Sequence, residues 1–182
     1  LAILEFFRNC VYFVMPIQVQ FDVISLFPSM LEGIVKESII GRAISNELIE
    51  VRSHDLRSWT TDKHNVADDR PFGGGPGMVL KPEPLFASIE ELRGEESEVI
   101  YMAPDGEPLT RELSKELATR SHVVLISGHY EGIDQRVRDQ LVTREVSIGD
   151  FVLTNGTLAA ATLIDAVSRF VPGVLGEADS LS

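Results

Sequence analysis

The feature that most constrains this chain is the regular exchange of short β-rich runs for helix-spaced ones. In the second half, "EVIYMAP" and "HVVLISG" read as strands, and "REVSIGDFVL" as a short strand and loop. Between and after them come "GEPLTRELSKELATRS", "YEGIDQRVRDQLV" and "GTLAAATLIDAVSRFV", which read as a turn and helix, a helical run, and a long apolar helix ended by Pro172 and Gly173. Strands that alternate with helices predict an α/β fold with a parallel sheet and flanking helices. The first half fits the same scheme. A strand begins at Val19, and helical spacing runs from Met30 to Ile49, with Gly41 expected to divide it into two helices. "IEVRSHDLRSW" is a second strand, Thr60 to Gly77 is a polar, glycine-rich loop, and "KPEPLFASIEELRG" is a helix with Pro82 in its first turn.

In such a sheet, ligands sit at the carboxyl ends of the strands. Three strand ends carry glycine-bearing loops here, "YMAPDGEPL", "LISGHYEGID" and "VSIGDFVLTNGT". Glycine lets backbone approach a ligand closely and leaves its polar groups free to bond it. One such loop alone is a turn; three at successive strand ends, with His129, Tyr130, Glu131 and Asp134 beside them, point to a site. No G-x-G-x-x-G follows a strand and no G-x-x-x-x-G-K-[ST] is present, so dinucleotide-binding and P-loop readings fail. No histidine or cysteine pair stands at ligand spacing, which argues against a transition-metal site.

The least ordinary stretch is "DDRPFGGGPGM", Asp68 to Met78, with four glycines and two prolines. Its glycines give access while Pro71 and Pro76 limit the unbound conformations. Net charge works against a polyanionic partner: 16 Lys+Arg face 28 Asp+Glu, for a formal charge of -12. The single Cys10 fits a buried thiol in a reducing compartment. The opening run to Val14 is interrupted by Glu5, Arg8 and Asn9, so neither a membrane span nor a signal peptide is expected. Met15 reads as the natural first residue, with residues 1–14 an extension.

Taken in order, "DDRPFGGGPGM", "YMAPDGEPL", "GHYEGIDQRV", "SIGDFVLTNG" and "LIDAVSRFVPGVLG" resemble the bacterial tRNA (guanine-N1)-methyltransferases of the SPOUT class, from about Val19 to Gly176. That resemblance implies a deep trefoil knot near the C-terminal end of residues 15–176, a homodimer with the site between subunits, and S-adenosyl-L-methionine as methyl donor. It places Met102, Pro104, Gly128, Tyr130, Glu131 and Gly132 around the donor's ribose and methionine. Ile148, Gly149, Asp150, Phe151, Val152 and Leu153 fall around its adenine. Asp68, Asp69, Arg70, Gly73, Gly74 and Gly75 fall on the side of the target guanine and anticodon loop. Arg169 corresponds to the catalytic arginine that stabilises guanine O6.

The implied reaction is methylation of N1 of the guanosine 3′ to the anticodon, with tRNA as cytoplasmic partner. The family's general-base aspartate is expected beyond residue 182, as is a C-terminal tRNA-gripping domain, with 177–182 the start of a linker. Asp179 falls before the base position. Residues 1–182 are therefore expected to bind donor but transfer methyl groups slowly. A divalent cation stays open. Where the family usually has "LSGGELPA", this chain has Leu153 to Ala160 as "LTNGTLAA", an expected change at the adenine end or the dimer contact. Two alternatives stand beside this reading: another SPOUT RNA methyltransferase, or a catalytically silent dimeric RNA-binding module.

Overall fold

The computed structural model describes residues 17–71 and 73–175. The expected extension 1–14, Cys10, Met15, and the tail 177–182 with Asp179 lie outside them. Five parallel strands form one sheet in the order β2-β1-β6-β5-β7. These are β1 Val19–Ser25, β2 Ile49–Asp55, β5 Glu98–Pro108, β6 His122–Ser127 and β7 Arg144–Ser147. Two short strands, β3 Asp68–Asp69 and β4 Val79–Leu80, pair antiparallel beside it. The described residues also form six α-helices: α1 Ser29–Val35, α2 Ser38–Ser45, α3 Pro82–Leu92, α4 Arg111–Leu117, α5 Gln135–Gln140 and α6 Thr157–Ser168.

Period-two burial makes the sheet two-faced. On β6, Val123 and Leu125 join one core cluster with α1, α2, α4 and α6; Val124 and Ile126 join the other with α3 and α5. Every one of these four is fully buried, as expected of a central strand covered on both sides. The long apolar helix α6 is therefore a core helix. Leu163, Ile164 and Val167 are fully buried within the chain.

Three expectations are corrected. The helix break falls at Lys36 and Glu37, and Gly41 lies inside α2. A Cβ on Gly41 would stand 2.4 Å from the Lys36 carbonyl oxygen, so glycine is there for close backbone approach and not to end a helix. Strand β5 runs past "EVIYMAP" to Pro108, because pairing with β7 resumes at Glu107↔Val146 after an interruption at Met102. The run "YEGIDQRVRDQLV" is helical only from Gln135 to Gln140; Asp134 caps it, accepting from the Arg136 N–H at 2.9 Å.

One polar group is sunk in the sheet. Asp22 on β1 is 1% exposed, and its carboxylate takes Nε2 of His54 on β2 at 2.6 Å and Nε2 of His122 on β6 at 2.7 Å. Gln20 donates to it at 2.6 Å. Burial alone would raise the Asp22 pKa, but the His122, His54 and Gln20 hydrogen bonds outweigh it and hold the carboxyl well below its usual range.

Candidate active site

The carboxyl ends of β5, β6 and β7 open into one cavity of about 210 Å³. Its walls are the three glycine-bearing loops and the start of α6. The N-terminus of α6 is fixed by short polar residues. Asn155 Oδ1 accepts the Thr157 N–H at 2.9 Å. The fully buried Thr157 hydroxyl meets Ser25 Oγ at 3.0 Å and Ser127 Oγ at 2.9 Å. Asn155 and Thr157 thus fix the helix start and tie it to the ends of β1 and β6.

The structure brings the expected donor residues together around this cavity. Met102 and Pro104 come from β5, Gly128, Tyr130, Glu131 and Gly132 from the loop after β6, and Ile148, Gly149, Phe151, Val152 and Leu153 from the loop after β7. Asp150 is the exception: its side chain is exposed, and it lies outside the lining. Tyr101, His129, Ser147, Asn155, Gly156 and Ala159 also line it. Sequence reasoning missed most of these because only the register of three strands brings them to one place. Tyr130 takes φ of +56°, a left-handed conformation that costs about 1–3 kcal/mol and gathers at functional sites.

The glycine-rich segment runs against the loop after β6. Glu131 N–H donates to the Met78 carbonyl at 3.0 Å, and Leu80 N–H to the Gly132 carbonyl at 3.0 Å. Gly77 has φ of +83°, and a Cβ there would meet the Glu131 side chain at 2.5 Å, so only glycine permits this contact. The Asp68 carboxylate near the Tyr130 phenol pushes the pKa of that hydroxyl up. Asp69 and Arg70 line a separate cleft of about 420 Å³ with Trp59, Lys81 and Arg136. Gly73, Gly74 and Gly75 are exposed and line neither space.

Arg169 sits at the other end of α6 from the cavity, as its C-cap residue. Ten residues separate it from Ala159, or about 15 Å along the helix axis. It lines neither cavity. Among the described residues no cluster of three or more His, Cys, Asp or Glu could hold a metal ion, and no helix is long and apolar enough to cross a membrane.

The family model for tRNA (guanine-1)-methyltransferase TrmD matches residues 19–182. The chain belongs to this family. Among curated relatives, tRNA (guanine-N(1)-)-methyltransferase of Chloroflexus aurantiacus is 52% identical over 159 residues, which is 86% of this chain and 63% of that protein. The enzyme of the same name from Dictyoglomus turgidum is 47% identical over 160 residues, 88% of this chain and 65% of the relative. That of Staphylococcus carnosus is 49% identical over 160 residues, covering 87% and 65%. The chain thus spans slightly less than two thirds of the length of these family members.

Proposed function

We propose that this chain carries the methyl-donor site of an S-adenosylmethionine-dependent tRNA (guanine-N1)-methyltransferase. The target would be the guanosine 3′ to the anticodon. The observation that carries this reading is the single cavity where three glycine-bearing loops meet at the ends of β5, β6 and β7, hydrogen-bonded to the glycine-rich segment. Its lining suits the donor. Main chain and apolar side chains such as Phe151 and Leu153 offer a slot for a purine, and Glu131 is a carboxylate for a cationic ligand. Bound there, the donor supplies an electrophilic methyl group on a sulfonium.

Guanine N1 is a weak nucleophile until its proton leaves, and a general base must take it. Loss of that proton leaves negative charge shared with O6, which Arg169 would stabilise, while the donor held by the cavity residues would supply the methyl group. Lying about 15 Å along α6 from Ala159, Arg169 would serve the cavity of a second copy. A homodimer is supported by apolar side chains left exposed around the cavity mouth. Phe27, Met30, Phe151 and Val152 are 40%, 40%, 53% and 81% exposed. Phe27 packs on His129, and Met30 receives Asn155 Nδ2 at 3.7 Å.

The trefoil knot of residues 15–176 belongs to the same proposal. Its support is that β7 lies at the sheet edge while the following helix returns to pack on β1 and β6. Asp68, Asp69 and Arg70 would face the anticodon loop, in the cytoplasm where tRNA is found. Calorimetry with S-adenosylmethionine and a tritium-methyl assay on unmodified tRNA test the reading. Arg169→Ala should cost about 10²–10³-fold in transfer and leave donor affinity unchanged. A chain that binds no donor would refute the assignment of the cavity.

A further inference from the structure

We infer that Arg138 is a positioning residue for the methyl donor, holding three walls of the cavity in place without lining it; this rests on the proposed donor site. Arg138 lies on α5, outside the cavity lining, and is itself part-buried. Its guanidinium reaches three ways. Nη2 donates to Asp105 Oδ2 at 3.1 Å. Nε donates to Glu145 Oε1 at 2.7 Å, and Nη2 also bonds Glu145 Oε2. The cation lies over the Tyr101 ring, 5.6 Å from its centroid.

Each contact leads to a different wall. Asp105 follows Pro104 in the stretch Ala103 to Gly106, where β5 leaves its pairing with β7 between Met102 and Glu107. With the ladder broken there, a side chain must hold that stretch. Glu145 precedes Val146, Ser147 and Ile148, which form the β7 wall. Tyr101, 5% exposed, lies beneath the loop after β6: a Cβ on either Gly128 or Gly132 would stand 3.0 Å from its hydroxyl. One planar fork therefore sets the spacing of the methionine, ribose and adenine sides, which a lysine ammonium could not do. The Asp105 side chain is 67% exposed, so its pair with Arg138 adds little to global stability and acts locally on the Pro104 stretch.

Asp105→Asn cuts the Pro104 arm alone, and Arg138→Met removes all three contacts while keeping the stem. Calorimetry with S-adenosylmethionine should show donor affinity about threefold weaker in the first and about tenfold weaker in the second, the scale of single charge-assisted contacts. Arg138→Lys should recover only part of the loss. The double variant should be no worse than Arg138→Met, and the melting temperature of Asp105→Asn should match the parent. Without donor, hydrogen exchange at Ala103, Asp105 and Gly106 should accelerate in both single variants. Donor affinity unchanged in either single variant overturns the inference, as does a loss that merely tracks melting temperature. Failure of the unsubstituted chain to bind S-adenosylmethionine would instead refute the proposed function, and the exchange measurement would still decide whether Arg138 holds the stretch.

Discussion

Asp22 is the residue whose environment most depends on the fold around it. It is 1% exposed, and its two oxygens are shared among His54, His122 and Gln20. Its folded pKa lies below the unfolded value of about 3.9, so the stabilisation it gives is present above that pH and is lost as pH falls through it toward the folded value. Asp22→Asn should cost roughly 2–3 kcal/mol at pH 7, the worth of a charge-assisted network. The difference should shrink in urea titrations run progressively below pH 4. An unchanged difference at low pH would show that packing, not charge, is what the aspartate contributes. Nothing in the sequence pointed to this group. A lone aspartate in an apolar run looks like an edge or a loop until His54 and His122 arrive from strands 32 and 100 residues away.

Among the elements, the parallel strands and all six helices were legible from periodicity, because burial on both sheet faces leaves near-continuous apolar runs. What was not legible was anything set by contact between elements. Gly41 carries the same signal whether it ends a helix or lets two backbones touch, and only the 2.4 Å approach to Lys36 tells them apart. On intrinsic propensity, Gly41→Ala should stabilise α2 by up to about 1 kcal/mol. The opposite is expected here. The added methyl would displace the turn between α1 and α2, with a loss of roughly 1–3 kcal/mol. Thermal or urea unfolding reads the sign directly. The cavity loops were found by their glycines, yet Asp150 stands outside the lining although its neighbours Gly149 and Phe151 are in it. Arg138 escaped notice because a charged residue on a short amphipathic helix looks like solvated surface.

At the scale of the whole molecule, the apolar character of α6 is accounted for by the chain's own core. The argument for self-association rests on the exposed set around the cavity mouth. Val152, 81% exposed, is its most accessible member. Val152→Asp should leave the unfolding free energy of the monomer itself within about 0.5 kcal/mol of the parent, as for a surface change. It should also shift light scattering from twice the 20.1 kDa chain mass toward that mass. A dimer untouched by the substitution would move the interface elsewhere.

The placing of Arg169 and the cavity at opposite ends of α6 has a consequence for inheritance. If each site takes its arginine from one copy and its pocket from the other, two defective alleles need not add up to a defective cell. One allele would carry Arg169→Ala and the other a blocked pocket, such as Gly77→Val against Glu131. Random pairing makes half the dimers mixed, and each mixed dimer has one intact site and one doubly damaged site. Co-expression should therefore restore about a quarter of the normal sites, though neither allele supports methylation alone. Were each copy self-sufficient, the mixture would stay inert.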